Sequence, residues 1–319
     1  MKIVVFGGGK GQSAILRGLK QNDELELSAI VTVADDGGST GRLREEFNVP
    51  AMGDIRNVML SLAESETMLS KIMNYRFSSE KKSSLDGHNL GNLIFTALAE
   101  TSGDFMEAIT LLSEVLNVKG TIIPSTTDII TLCARMSDGT VIRGESNIPK
   151  YRNAIDCVYY DVDVTATQDA LDAINEADVI LLGIGSLYTS ILPNLIVPEI
   201  NKAVLESKAK KIYYCNAMSQ PGETDGFSAE DHVNALLKHC NLKLDAVVVA
   251  KDTLPESTLL RYQEEGAHPI AFESKNHEYK IIEQYLIEIE DDRIRHDAKK
   301  VYDGINEVLE LVGCPLVVK

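Results

Sequence analysis

The chain has 319 residues, 44% hydrophobic, 25% charged and 6% aromatic, with no tryptophan. Its 31 Lys and Arg stand against 48 Asp and Glu, a net charge of −17 with a pI near 4.8. That length supports a large core without staples, the composition excludes collagen, coiled coil and wholesale disorder, and the acidic field excludes nucleic acid and anionic lipid as bulk partners.

Ile3–Phe6 is a short apolar run that predicts a buried strand. It ends in Gly7-Gly8-Gly9-Lys10-Gly11-Gln12-Ser13, followed by a helix with Ile15, Leu16 and Leu19 on one face. Glycines at such a turn let the backbone approach a ligand closely, and the free amides of the helix start favour an anion. Gly8, Gly9, Gly11, Gln12 and Ser13 are therefore candidate ligand residues, with a ligand-free tight turn as the competing reading. The spacing matches neither G-x-G-x-x-G nor a P-loop, which demotes an NAD(P)-dependent oxidoreductase.

Ala29–Ala34 predicts the second strand, delivering Asp35-Asp36-Gly37-Gly38-Ser39-Thr40-Gly41-Arg42-Leu43-Arg44. Acids at the end of strand two either hold ribose hydroxyls, as in dinucleotide folds, or bind Mg²⁺ together with phosphate oxygens. Asp35 and Asp36 are the candidate metal ligands, Asp36 also a candidate ligand contact, and Arg42 adds positive charge. Gly53-Asp54-Ile55-Arg56-Asn57 opens a helix on which Ile55, Val58, Met59 and Leu62 form the apolar stripe. Asp54 reads as its N-cap, and Arg56 and Asn57 face away from the stripe, toward whatever lies over the sheet edge.

The polar run Ser78–Gly87 predicts a mobile loop. Gly87-His88-Asn89-Leu90-Gly91-Asn92 opens another helix, and His88 and Asn92, four apart, share a face. His88 is either a capping or packed residue or a ligand contact. Ile129–Ser146 reads as a hairpin around Ser137-Asp138-Gly139; with Lys119–Ile123 and Ile155–Tyr160 it predicts a small β-rich insertion around residues 119–160.

Further strands are predicted at Val179–Leu182, Lys211–Cys215 and Ala246–Ala250. The first of these leads into Gly183-Ile184-Gly185-Ser186-Leu187-Tyr188-Thr189, a second anion or sugar site with Gly185, Ser186, Tyr188 and Thr189 as candidates. The next leads into a long polar loop beginning at Asn216, a candidate contact, like Asp36, for ribose or sugar hydroxyls. Ser228 with Asp231 reads as a capping box. Ala298–Val312 is an amphipathic helix. The alternation implies an α/β fold: a Rossmann-like, doubly wound, mainly parallel sheet with the β-rich insertion, residues 1–319 forming one composite domain. Loops at strand carboxyl ends of such a sheet line one ligand crevice.

No nucleophilic triad or zinc spacing stands out. Cys133, Cys157, Cys215, Cys240 and Cys314 are dispersed and odd in number, as expected of reduced thiols. No apolar run approaches a membrane span and no signal peptide opens the chain. A cytoplasmic protein is expected, and two-fold pairing is the default expectation for its oligomeric state.

The segments GGGKGQS, ADDGGSTGRLR, GDIRN, GHNLGN, PSTT, GIGSLYTSILPN and NAMSQPGETDGFSAEDH, in this order from Gly7 to His232, resemble the YvcK/CofD-like family on its YvcK branch, the gluconeogenesis factors. The chain departs from the usual family pattern at Lys10 and Gln12. The resemblance implies a Rossmann-like fold and a cytoplasmic bacterial protein that binds a UDP-sugar, UDP-N-acetylglucosamine in the YvcK branch. It further implies a regulator of cell-wall precursor synthesis and cell shape under gluconeogenic growth, with a cell-wall precursor enzyme as a partner. By position, Tyr262 and Arg295 resemble a tyrosine and an arginine implicated in sugar-nucleotide binding. The CofD branch implies the alternative, an Mg²⁺-dependent 2-phospho-L-lactate transferase using Asp35, Asp36 and Asp54.

Overall fold

The computed structural model describes residues 1–64, 68–78, 83–274, 276–290 and 293–316. Twelve strands occur among them: β1 (Lys2–Gly7), β2 (Glu26–Val31), β3 (Thr121–Pro124), β4 (Leu132–Met136), β5 (Val141–Arg143), β6 (Ile155–Tyr160), β7 (Val179–Leu182), β8 (Lys210–Tyr214), β9 (Ala246–Ala250), β10 (Lys280–Gln284), β11 (Ile287–Glu290) and β12 (Arg293–His296). Seven form one parallel sheet in the order β10-β9-β8-β7-β1-β2-β3. Ile3, Val5 and Phe6 are completely buried and Val4 nearly so, the continuous apolar run required of a central parallel strand covered on both faces. Phe6 pairs with Ile30 on one side and Leu182 on the other.

The first five helices are α1 (Gly9–Leu19), α2 (Gly38–Phe47), α3 (Gly53–Leu62), α4 (Met68–Met73) and α5 (Leu90–Ser102). Helix α1 packs against α3 and against the helix Ala298–Leu311, while helices Gln168–Glu176 and Pro198–Glu206 form another packed pair. From β1 the sheet grows outward through β2 and β3. The chain then returns to the other side of β1 with β7 and grows outward again through β8, β9 and β10. Such a reversal opens a crevice at the carboxyl ends of the two central strands, here β1 and β7.

Strands β4, β5 and β6 make a separate antiparallel sheet in the order β5-β4-β6, with its turn at Ser137–Thr140. The run Lys119–Ile123, expected to belong to this insertion, instead supplies β3, the edge of the main sheet, because Ile122 and Ile123 pair with Ala29 and Ile30 of β2. A second hairpin, β11–β12, follows the main sheet. Of the expected mobile loop Ser78–Gly87, residues 79–82 lie outside the described residues, and the rest ends in a turn in which the Asp86 amide donates to the Ser83 carbonyl.

Candidate functional site

Three helices begin at the crevice without a side-chain cap. The N-caps of α1, α2 and α3 are Gly8, Gly37 and Met52, and none accepts an amide hydrogen with its side chain. Elsewhere Asn89, Asp104, Thr167, Ser228 and Asp297 do cap their helices. Uncapped amides together with the helix dipole make each of these three starts a place for an anion. The loops are tightly joined: a Cβ on Gly11 would lie 2.4 Å from the Ile184 carbonyl oxygen, so the turns after β1 and β7 touch through backbone.

Into this space the chain places its own acids. Asp54 does not cap α3; it sits in the first turn, and its carboxylate stands against the Gly8-Gly9 backbone. Burial pushes its carboxyl up to about 7, the charge of Asp35 adds to the shift, and Arg56 opposes it. Burial also raises Glu145 to about 8, reinforced by Asp35 and Asp54, and Glu223 to about 7. Glu223 accepts from the Ser186 hydroxyl and from Gln220 Nε2 at 2.7 Å. Asp35 and Asp36 do not converge as expected of a metal pair. Asp36 Oδ1 turns to the Ser146 amide of the insertion (2.9 Å), whereas Asp35 accepts from the Gly37 amide (2.9 Å) and lies beside Gly53. The acids on which the charge of Asp35 bears are Asp54 and Glu145.

Two cavities flank these acids. One, of about 360 Å³, is lined by Lys10, Gly11, Ser13, Arg17 and Asn57 on one side and by Glu288, Arg295 and His296 of the β11–β12 hairpin on the other. Tyr262 does not line it. Its hydroxyl accepts from the Ile294 amide at 3.0 Å, which holds β12 beside Arg295. The other cavity, of about 270 Å³, is walled by Asp35, Gly37–Thr40, Gly53, Arg56, Asn57, Arg76 and Asn92. Asn57 is common to both.

Several candidates turn out to be committed to the scaffold. Gln12 is fully buried and donates to the Val5 carbonyl (2.8 Å) and the Ile30 carbonyl (3.1 Å), which ties α1 to β1 and β2 instead of facing the cleft. Ser13 donates to the Gly9 carbonyl at 2.7 Å. Tyr188 is buried against Phe227 and His239, away from solvent. Asn216 spends both ends of its amide on the Gly185 backbone, at 3.2 and 2.9 Å. Ser186 caps the Thr189 amide at 3.1 Å. Arg42 reaches the Asp86 carbonyl on the surface. His88 is a buried residue whose Nδ1 lies 3.2 Å from Ser39 Oγ, and burial lowers its pKa. Asn92 accepts from Arg56 at 2.7 Å and lies 3.3 Å from Thr40 Oγ1.

Sequence reasoning passed over Lys10, Arg17, Arg76, Glu145, Glu223 and His296. Lys10 and Arg17 are seven apart, two turns along one face of α1, so their spacing did carry a signal. Glu145 and Glu223 belong to loops brought together only by tertiary structure and carried none.

Comparison with known proteins accords with this architecture. The profile of the family described as 2-phospho-L-lactate transferase CofD matches residues 3–287. A protein of Bacillus subtilis named gluconeogenesis factor is 44% identical over 315 residues, covering 97% of this chain and 98% of that protein. One of the same name from Halalkalibacterium halodurans is 43% identical over 312 residues, covering 96% and 95%. The crystal structure of protein BH3568 from Bacillus halodurans superposes with a TM-score of 0.91 at 43% identity, covering 95% of this chain and 98% of that one. The chain belongs to the CofD family, and its relatives within it are gluconeogenesis factors.

Proposed function

We propose that the protein is a UDP-sugar-binding regulator, with UDP-N-acetylglucosamine as its ligand, acting in cell-wall precursor control and cell shape during gluconeogenic growth. The observation that carries this reading is the 360 Å³ cavity, which joins Lys10, Gly11 and Arg17 of the first loop and helix to Arg295 of the distant hairpin. A diphosphate there meets the uncapped start of α1 and three cationic side chains, charge-assisted contacts that offset the acidic exterior. Glu288 in the same wall suits a sugar or ribose hydroxyl. No activated nucleophile faces this cavity, which favours binding that shifts a surface toward a partner over turnover. A cytoplasmic location accords with this role, and among the described residues no helix is long and apolar enough to cross a membrane.

Calorimetric titration with UDP-N-acetylglucosamine tests the reading. Saturable binding to the wild-type chain is expected, weakened at least tenfold in Arg295→Ala. Absence of saturable heat from the wild type rejects it.

One observation favours a second reading. Asp54 stands against the Gly8-Gly9 backbone at the start of α1, and the charge of Asp35 repels its own, a repulsion that a divalent cation relieves. Among the described residues no group of three or more His, Cys, Asp or Glu side chains could hold a metal ion alone. Two carboxylates nevertheless fit Mg²⁺, which commonly completes its shell with water and substrate phosphate. Asp35 and Asp54 would hold the ion, which would neutralise charge on a transferred phosphate, as in a transferase of the CofD type. Product formation from a nucleotide-activated phospholactate donor, dependent on Mg²⁺ and lost in Asp54→Asn, would establish this alternative.

A further inference from the structure

The 270 Å³ cavity among α2, α3 and α5 has a character opposite to that of the chain as a whole. Two guanidiniums, Arg56 and Arg76, line it together with the start of α2. Arg56 is only 7% exposed. Its Nη atoms donate to the side-chain oxygens of Asn92 and Asn57 at 2.7 and 2.8 Å, and Nε has no partner. Arg76 donates to the Gly87 carbonyl at 2.7 Å. These hydrogen-bond acceptors are neutral and orient the guanidiniums without neutralising them; Asp35 and Asp54 offset part of the charge on Arg56, and Arg76 beside it keeps the cavity cationic. Burial first and Arg76 second push the pKa of Arg56 down to about 10, against the opposing charges of Asp54 and Asp35.

The backbone opposite is arranged to match. Helix α2 starts at Gly37 without a side-chain cap, and Gly38 has φ +47 with no atom within 4 Å of where a Cβ would stand. Ser39 and Thr40 add hydroxyls. The carboxylate in this wall is that of Asp35, with Oδ1 already engaged by the Gly37 amide.

We propose that this cavity is an anion site for a small phosphorylated or carboxylated metabolite, separate from the nucleotide cavity and coupled to it through Asn57. A single diphosphate reaching from Gly9 to Arg56 would have to pass the Asp54 and Asp35 carboxylates, which separates the two sites electrostatically. Arg56 forms the floor, Arg76 closes the anion from the exposed side, and the amides of α2 complete the cradle. An anion drawing on Arg56 alters the hold of its Nη2 on Asn57, which is also a wall of the first cavity. The site stands whether or not the nucleotide reading does.

The test is calorimetric titration of the full chain with inorganic phosphate and, separately, malonate, repeated in the presence of saturating UDP-N-acetylglucosamine. Saturable phosphate binding is expected, weakened about tenfold or more in Arg76→Gln, an exposed position whose change spares the core. Arg56→Lys, which keeps the charge and loses the fork, is expected to weaken it likewise, with circular dichroism unchanged. Phosphate should bind alongside the nucleotide and shift its affinity. No saturable phosphate or malonate binding, or equal affinity in Arg76→Gln and the wild type, overturns the site. Stoichiometric displacement of phosphate by the nucleotide overturns its separateness. Failure of the nucleotide alone to bind leaves the phosphate titration to decide.

Discussion

Asp54 Oδ2 stands where a methyl group on Gly8 would have to go: a Cβ there would lie 2.4 Å from that oxygen and 3.0 Å from Thr32 Cγ2. Gly8 has φ −171, ordinary extended backbone, so the requirement for glycine is one of space alone. Gly8→Ala should therefore cost about 1–3 kcal/mol and weaken ligand binding by displacing the first loop. Asp54→Ala removes the obstacle. Chemical denaturation of both single variants and the double variant should reveal a favourable coupling; strict additivity would show that Asp54 is not the obstacle.

Gly11→Ala should be worse than Gly8→Ala. Its obstacle is the Ile184 carbonyl at 2.4 Å, backbone that cannot rotate away. A lower Tm than that of Gly8→Ala is the expected result, and the reverse order would mean that the turn after β7 yields easily.

The raised carboxyls make ligand-free stability fall with pH. Asp54 and Glu223 titrate near 7 and Glu145 near 8 in the folded chain, against values near 4 when unfolded. The unfolded state therefore releases its protons first as pH rises. Their favourable contribution is complete below about pH 4 and is lost through the folded values near 7–8. Tm at pH 8.5 should lie below that at pH 5.5 by on the order of 5 °C, and Asp54→Asn should flatten part of the slope. Differential scanning calorimetry across this range checks it; a Tm that climbs over the same interval contradicts the assignment.

Gln12→Ala should separate stability from binding. Its side chain bonds only strand carbonyls of β1 and β2, so the variant should lose about 1–3 kcal/mol of stability while its affinity for UDP-N-acetylglucosamine changes less than twofold. A large affinity loss in a fully folded variant would return Gln12 to the site.

Tyr262→Phe should be milder than Arg295→Ala. Removing the hydroxyl frees the Ile294 amide and costs about 1 kcal/mol, and affinity should drop only a few fold because Arg295 is still present. Equal losses in both variants would give Tyr262 a direct contact with the ligand.

The parts of the fold read correctly from sequence are those in which local pattern and tertiary role agree. Ile3–Phe6 is apolar at every position because both faces of β1 are covered, and the glycines after it mark a turn that touches another loop. The misreadings arise where one residue type serves two roles. Lys119–Ile123 is as β-prone as a hairpin strand, and only its register with β2 shows it to be the edge of the main sheet. Adjacent Asp35 and Asp36 looked like a pair, yet neighbours on an extended chain point to opposite sides, so the second acid had to come from elsewhere. Gln12 sits within a glycine-rich ligand motif and still serves the core, because the strand carbonyls it reaches come within range only after folding. Arg56 is turned off the apolar stripe by its spacing alone, but the asparagines that orient it, one on the same helix and one on α5, come together only on folding.

The first cavity has its two walls far apart in the sequence, one at Lys10–Arg17 and the other at Glu288–His296. During synthesis the earlier wall leaves the ribosome long before the later one exists, so a shorter nascent chain has only half of this cavity. A ligand of this cavity would act only on chains translated past His296, and it would not template the folding of what precedes.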